Sequence, residues 1–295
     1  MNILLAMLAA FLWGTTYSIT QYTLPNWPPL LLGALRALPA GLLLLAIKPN
    51  LPKRKHWSML IRLGAINIAL FFSLLFVMAN TLPSAISGVG MVSMPVFAMF
   101  FYWIFYKSRP EKIQVYSGGV LILLAWLLFD PNSLTLNPIG LLAMVAAISC
   151  IVVGSNIIKK SIQELHWWTL LCWQLLIGGA LLSVIASLHA LFFIDQYWEV
   201  LRNFSTLNGL GLAWLVLFNT VLAYGLYVWL LRRMTVVEFT FAGVSNPIAS
   251  ILLGVLLVNE SFNNYQYTLM ALMILTSLST PLFNRYYSQN KIPLA

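Results

Sequence analysis

The chain alternates between long apolar runs and short polar breaks. Each run is close to the about 20 residues that an α-helix needs to cross a bilayer. Lipid-exposed backbone must satisfy its hydrogen bonds within its own segment, so the pattern predicts a polytopic bundle of α-helices. Turn-forming residues occupy the breaks, for example at 25–28 and 130–132. Ten spans are predicted, namely 3–20, 28–47, 58–79, 84–106, 112–130, 138–158, 167–189, 209–231, 236–258 and 264–283.

The composition narrows the class of protein further. Of the 295 residues, 61% are hydrophobic and 8% are charged, whereas soluble domains carry about 25% charged residues. So few ionisable groups cannot cover a water-soluble surface, and ten spans leave room only for short loops and tails. The composition therefore excludes a soluble enzyme and a large domain outside the membrane.

The basic residues predict the orientation in the membrane. When the ten spans are counted along the chain, 14 of the 16 Lys and Arg residues fall on one side, Arg202 falls on the other, and Arg36 lies inside a span. Basic residues concentrate on the cytoplasmic side of membrane proteins. We therefore expect both termini in the cytoplasm, and we call the cytoplasmic side the inner face and the opposite side the outer face.

An internal repeat divides the chain into two halves. Residues 4–10 match residues 141–147 at an offset of 137, and farther along Asn67 aligns with Asn219 at an offset of 152. Because each half holds five spans, an odd number, the second half enters the membrane from the opposite face. The predicted fold class is an all-α polytopic membrane protein with two inverted five-helix repeats, an architecture typical of alternating-access carriers. The predicted units are 1–132, 137–284 and a short cytoplasmic tail at 285–295.

Polar and aromatic residues recur at mid-depth in both halves. Arg36 aligns with Gln174 at an offset of 138. Trp13 and Tyr17 are four residues apart, so they share one helix face and present rings with polar tips. Carriers of this architecture bind substrate near the midplane. The candidate substrate-binding residues are Trp13, Tyr17, Arg36, Asn67, Gln174, Asn219, Tyr224 and Tyr227.

Two prolines occupy the midpoints of the fourth and ninth spans. Pro95 and Pro247 are aligned by the repeat. Proline lacks a backbone N–H and leaves the carbonyl four residues back unbonded, here those of Met91 and Gly243. Two prolines at matched depth indicate hinges or cavity lining, although membrane helices also tolerate proline without a functional reason.

Arg36 is the charge that most needs an explanation, because a charge at a helix centre costs about 2.5–3.5 kcal/mol on insertion scales. Two roles stay open for it: hydrogen bonds to neighbouring helices, or contact with a substrate carboxylate through its bidentate fork. The acids offer no clear mid-depth partner. Glu238 lies about three residues inside the inner boundary, where it either serves a proton-driven cation exporter or pairs with Arg232 or Arg233.

Other chemistry is not predicted. The two Cys and three His show no metal-ligand spacing. No phosphate-binding loop of the form G-x-x-x-x-G-K-[ST] occurs, which disfavours ATP-driven transport. We expect no catalytic residue, no metal and no cofactor.

Short motifs in a fixed order resemble the drug/metabolite transporter superfamily, of the EamA type with ten helices and two EamA repeats. The resemblance covers nearly the whole chain and implies a bacterial carrier that moves a small metabolite, often outward. Three positions depart from the family pattern: Ser108, Met270 and Cys150-Ile151. The motifs are Leu12-Trp13-Gly14, Pro28-Pro29-Leu30-Leu31-Leu32 leading to Arg36, Ser84-Ala85, Met94-Pro95-Val96-Phe97, Arg109-Pro110, Gly118, Asn246-Pro247-Ile248 and Val258-Asn259-Glu260-Ser261.

The leading hypothesis is a secondary transporter that exports an amino acid or a related carboxylate-bearing compound by alternating access. The alternative is an exporter of hydrophobic cations or drugs on the same fold. A more distant alternative is an integral membrane enzyme acting on a lipid phosphate, although the chain has no cluster of His and acidic residues to build one. The expected partners are a small-molecule substrate and membrane lipids, without nucleic acid, for a monomer or homodimer in the bacterial inner membrane.

Overall fold

The computed structural model describes residues 2–107, 109–110, 112–128 and 136–290, and of residues 102, 106, 237, 241, 278 and 280–290 it describes the backbone. Within these residues, ten long helical segments lie where the ten spans are predicted, and we number them α1 to α10. Their bounds are Asn2–Thr23 (α1), Pro29–Ile47 (α2), Arg54–Thr81 (α3), 84–106 (α4), Lys112–Leu128 (α5), Pro138–Ser161 (α6), Trp167–Phe192 (α7), Thr206–Leu230 (α8), 236–258 (α9) and Asn264–Asn290 (α10).

Eight of these segments are long and apolar enough to cross a membrane, by length and composition, in the part of the chain that the structure describes. Helix α5 is apolar but shorter, with 17 residues. The predicted all-α, multi-pass fold is confirmed, whereas the count of ten crossings and the inner placement of both termini stay predictions. Helix α10 continues to Asn290, into the predicted tail, and the turn predicted at 130–132 and residues 291–295 lie outside the described residues.

A short helix, Ile194–Arg202, connects α7 to α8 in a segment for which no element is predicted. It is amphipathic: Tyr197 and Val200 are buried, while Trp198 and Leu201 are exposed. This helix therefore lies with one face against the bundle and the other turned outward.

The first irregularity that the two halves share is a π-helical segment. Residues Gly64–Leu70 in α3 and Leu215–Leu222 in α8 are π-helical, and each segment contains one of the two aligned asparagines. A π turn widens the helix by one residue and is frequent at functional sites. The irregularity thus falls at the depth where the sequence places Asn67 and Asn219.

The second shared irregularity is a break in the helix just before each aligned proline. In α4, a 3-10 turn at Met91–Ser93 separates the helices Ser84–Gly90 and Met94–Tyr106. In α9, the helix Val236–Ala242 ends before Ser245–Val258 begins. A helix break therefore precedes both aligned prolines.

The prediction that the carbonyls of Met91 and Gly243 have no hydrogen-bond donor is wrong. The Met91 carbonyl accepts from the N–H of Met94, and the Gly243 carbonyl accepts from the N–H of Asn246 at 3.0 Å. At each break the carbonyl accepts from the N–H three residues later, as in a 3-10 turn. This bond satisfies the carbonyl to which the proline, lacking an N–H, cannot donate.

The third shared feature is a side chain that caps the end of a neighbouring helix. At the end of α3, Gln21 Nε2 donates to the carbonyls of Ala79 and Leu82, both at 2.8 Å. At the end of α8, Lys159 Nζ donates to the carbonyl of Leu231 at 2.7 Å and to a second carbonyl three residues on at 2.6 Å. Donor and acceptors are related by the same offsets as the sequence repeat, 138 and 152. The duplication therefore extends to individual hydrogen bonds.

The two halves interlock rather than lie side by side. Helix α2 packs along α7, and α1 packs against both α8 and α9. At the α1–α9 crossing, a Cβ on Gly14 would overlap the backbone carbonyl of Asn246, so the two backbones are in direct contact. Such close approach is how membrane helices associate without a hydrophobic driving force. The midplane residues of one half therefore face those of the other.

Candidate functional site

Arg36 of α2 is buried in the bundle, with 1% of its surface exposed. Its Nε donates to the Thr220 hydroxyl at 2.9 Å and its Nη2 to the Asn219 carbonyl at 3.3 Å. The guanidinium carbon lies 4.4 Å from the centre of the Phe72 ring, a cation–π contact. Among the described residues, no carboxylate pairs with Arg36 and its Nη1 has no hydrogen-bond partner. The site thus holds a positive charge and one unused donor.

The carbonyl that accepts from Arg36 belongs to the π segment of α8. The Asn219 carbonyl also accepts from the Trp13 indole Nε1 at 3.1 Å. The Thr220 hydroxyl donates to the carbonyl of Leu215, five residues back, at 2.8 Å. The Asn219 carbonyl and the Thr220 hydroxyl, which both accept from Arg36, therefore each have a second hydrogen-bond partner.

A second polar group surrounds Asn67 in the π segment of α3. Its Nδ2 donates to Gln174 Oε1 at 3.0 Å and to the Tyr224 hydroxyl. All three side chains are fully buried. Asn67 Oδ1 lies against Gly154, where a Cβ would overlap it. This group is neutral and closely packed.

The two groups are related by the repeat. Arg36 meets the π segment of α8, and its counterpart Gln174 meets the π segment of α3, so each contact joins the two halves. Phe72 and Tyr224, which align at an offset of 152, contact each other edge-on with ring centres 6.2 Å apart. Equivalent residues that touch lie on the axis relating the halves. The same geometry therefore carries a charge on one side of the axis and an amide on the other.

Aromatic rings lie beside these polar groups. The Trp13 ring centre is 5.6 Å from that of Tyr224 and 5.2 Å from that of Tyr227. Phe239 packs against both Trp13 and Tyr227, with ring centres 6.0 Å and 5.0 Å away. The Tyr227 hydroxyl is hydrogen-bonded to that of Ser155. The rings form an apolar wall with hydroxyl tips, which suits the organic part of a small molecule.

The structure brings most of the predicted site residues together. Through the contacts above, Trp13, Arg36 and Asn219 form one linked group, and Tyr227 joins it through Trp13. Tyr17 is fully buried in α1. Trp13 alone among the eight predicted residues is only partly buried. Their role in substrate binding stays a prediction, as does the hinge role of the buried prolines Pro95 and Pro247.

Several residues that contact the candidate site in the structure are not predicted from the sequence. Phe72 under the guanidinium was detectable, because the repeat aligns it with Tyr224. Thr220 carried no signal, since hydroxyl residues are common along the chain. The same holds for Thr16, whose hydroxyl accepts from the Asn219 side chain at 2.6 Å. Side-chain identity alone does not reveal which hydroxyl faces a π segment.

Two grooves lie away from the polar groups. One, of about 240 Å³, runs between α2 and α7 beneath Tyr197, and the other, of about 370 Å³, runs between α7 and α8 beside Trp168 and Trp229. Neither is lined by a predicted substrate-binding residue. Both are almost entirely apolar and suit lipid chains better than a polar metabolite. The polar side chains Arg36, Asn67, Gln174 and Asn219 are themselves buried.

Glu238 does not reach the midplane. Its carboxylate accepts from the N–H of Thr235 at 2.6 Å, and its own N–H donates to the Thr235 hydroxyl at 3.1 Å, which is a capping box at the start of α9. The residue is exposed. The observed contact is this cap rather than the predicted pair with Arg232 or Arg233.

Comparisons with known proteins agree with this architecture. The chain is 29% identical to Protein PecM of Dickeya dadantii (95% of this chain, 93% of that protein) and 27% identical to the uncharacterized inner membrane transporter YedA of Escherichia coli K12 (89% and 85%). It is 23% identical to the probable amino-acid metabolite efflux pump of the same strain (95% and 94%). A solved crystal structure shares the fold, with a TM-score of 0.66 and 17% identity over 97% of this chain and 98% of that one. The model of the EamA-like transporter family matches residues 1–129 and 138–280, and the chain therefore belongs to that family of membrane transporters.

Proposed function

We propose that the protein exports a small carboxylate-bearing metabolite, an amino acid or a related compound, by alternating access in the bacterial inner membrane. Transport itself follows from the family. The substrate class and the direction draw support from the similarity to the probable amino-acid metabolite efflux pump. The location draws support from the similarity to an inner membrane transporter.

The observation that carries the substrate class is the uncompensated charge of Arg36. Its partners, a hydroxyl and a backbone carbonyl, supply only partial negative charge, and Nη1 is unused among the described contacts. A carboxylate would accept from the free side of the guanidinium and neutralise it. An incoming cation would meet the same positive charge, and Glu238, the acid that a cation exporter would use, is already engaged at an exposed helix start.

Alternating access draws support from the internal symmetry. Each half has a π segment and a helix that breaks before a proline. Two similar halves that meet at mid-depth can exchange the roles of open and closed side by rocking around a central site. The buried polar groups are where such a site would lie.

Efflux from proteoliposomes tests the proposal. The vesicles are loaded with a radiolabelled mixture of the protein amino acids, or with the amines left when those amino acids lose their carboxylate, and diluted with and without ion gradients. We expect at least one amino acid to leave faster than from protein-free vesicles, while its amine does not. Release of the amines at the same rate, or no release of any amino acid under any gradient, would show that the proposal is wrong.

A further inference from the structure

Glu260 makes a contact between the two repeats at the outer face. It follows α9 in a turn where Asn259 adopts a left-handed conformation with φ 56°, and its N–H donates to the Gly254 carbonyl at 3.0 Å. This turn points its carboxylate at the first turn of α4. One carboxylate oxygen accepts from the N–H of Ser84, and the other accepts from the N–H of Ala85 at 3.0 Å. An acid of the second repeat thus caps a helix of the first.

The surrounding contacts are tight. A Cβ on Gly254 would stand 2.5 Å from Glu260 Oε2, and a Cβ on Gly88 would overlap the Ser250 hydroxyl. The Ser84 hydroxyl is hydrogen-bonded to that of Ser18 in α1. The outer ends of α1, α4 and α9 are therefore closed against one another, with the carboxylate at their meeting point.

The inner face lacks the equivalent carboxylate. Lys107 and Asn259 align at an offset of 152, and both adopt the left-handed conformation, with φ of 52° and 56°. The repeat therefore places Ser108 at the position of Glu260, and a serine has no carboxylate to bridge two N–H groups. The inner start of α9 is instead capped by its own Glu238. Among the described residues, the helix cap that connects the two repeats lies at the outer face.

We propose that Glu260 is the latch of the outer gate: a positioning residue that holds the start of α4 against the end of α9 while the outer side is closed. The inference rests on the alternating access of the proposed function. Opening the outer side separates these two helix ends, so it requires the carboxylate to leave both N–H groups. The 3-10 turn at Met91–Ser93 lies one helix segment below the latch and gives the released end of α4 a place to bend.

Side-specific labelling of an introduced thiol tests the latch. Both native cysteines are replaced by serine, and one probe is added in each half: Ser87→Cys below the latch in α4, or Thr240→Cys at the inner end of α9. Both probe positions are buried. A membrane-impermeant maleimide is applied to spheroplasts for the outer face and to inverted vesicles for the inner face. The matched control is Glu199→Ala, which removes an exposed acid from the short connecting helix.

In the Glu260→Ala background, we expect the outer labelling rate of the Ser87→Cys variant to rise about tenfold, because two hydrogen bonds to a carboxylate bias a two-state equilibrium by at least that factor. Inner labelling of the Thr240→Cys variant should not rise, and Glu199→Ala should change neither rate. Glu260→Asp, which keeps the charge but shortens the reach, should give an intermediate rise and serves if the alanine variant does not fold.

Two results would overturn the latch. One is unchanged outer labelling in folded Glu260 variants, and the other is an equal rise at both faces, which indicates general loosening of the fold. The assay uses no substrate. A failure to transport amino acids would therefore refute the proposed substrate class and leave the labelling result standing.

Discussion

Replacing Arg36 by glutamine should leave the protein folded and weaken its affinity for carboxylates. Glutamine is the residue that the second repeat carries at the equivalent position, Gln174, so a bundle of this geometry accommodates it. Removing the charge also removes its burial cost, about 2.5–3.5 kcal/mol on insertion scales. Against this stand two hydrogen bonds and one cation–π contact.

The loss of those contacts should be small because neither acceptor is left alone. The Asn219 carbonyl keeps its bond from the Trp13 indole, and the Thr220 hydroxyl keeps its bond to Leu215. The large penalties in buried networks come from groups that lose every partner. We therefore expect the free energy of unfolding to stay within about 1 kcal/mol of that of the wild type, or to rise.

Transport, unlike the stability, should be impaired by the substitution. A charge-assisted hydrogen bond from Arg36 to a substrate carboxylate is worth about 1.5–3 kcal/mol, so its loss should raise KM about 10- to 100-fold. Efflux from proteoliposomes gives KM, and thermal unfolding in detergent gives the stability. Arg202→Gln is the control, since Arg202 is exposed. Unchanged KM for every carboxylate substrate would refute a binding role, and a Tm lower by more than about 10 °C would refute the account of its burial cost.

Three further predictions concern packing, symmetry and protons. Gly14→Ala should lower the thermal stability by about 1–3 kcal/mol, because the new Cβ would overlap the carbonyl of Asn246, whereas Gly119→Ala, with nothing within 4 Å, should be neutral or slightly stabilising. Ser108→Glu should create an inner latch, which would appear as slower inner labelling of a buried thiol, and an unchanged rate would contradict the repeat register there. Burial raises the pKa of Glu260, and the groups facing its carboxylate (the first N–H groups of α4 and a glycine of α9) do not titrate. The closed state therefore binds the proton more tightly than an open, hydrated one. Because the thiol itself reacts more slowly at low pH in every variant, the outer labelling rate is divided by that of Glu260→Ala at the same pH, and this ratio should fall as the pH is lowered from about 7 to about 5.

The helices and the repeat follow from the sequence because both depend on local or periodic patterns. Runs of about 20 apolar residues fix where a span lies, without knowledge of what it contacts. The alignment of Asn67 with Asn219 needs only a constant offset, and the structure shows each of these residues in a π segment. The family motifs add the order of the helices but no individual contact.

The contacts themselves could not be predicted, since they depend on how the halves cross. Nothing in the sequence shows that Arg36 reaches the half that does not contain it, or that it donates to the backbone of a π segment there. Glu260 is a clear case: a lone acid in a short polar loop is normally solvated, and its partner Ser84 lies in the other repeat. For Pro95 the sequence predicts an unbonded Met91 carbonyl, and this prediction is wrong. The missing N–H of the proline is compensated by a 3-10 hydrogen bond that a regular α-helix would not make.

The scaffold is symmetric while its chemistry is not. Arg36 stands opposite Gln174 at the midplane, and Glu260 stands opposite Ser108 at the faces. In a carrier that works by alternating access, as proposed, such differences change the relative free energies of the inward-open and outward-open states, and hence the resting state and the rates of exchange. They cannot set the net direction of an uncoupled carrier, which follows the substrate gradient whichever state is preferred. If the protein is an uncoupled exporter, its direction comes from synthesis of the substrate inside the cell, and breaking the outer latch should change the rate of efflux but not the final distribution of substrate. A changed final distribution would mean that a second, coupled species moves with the substrate.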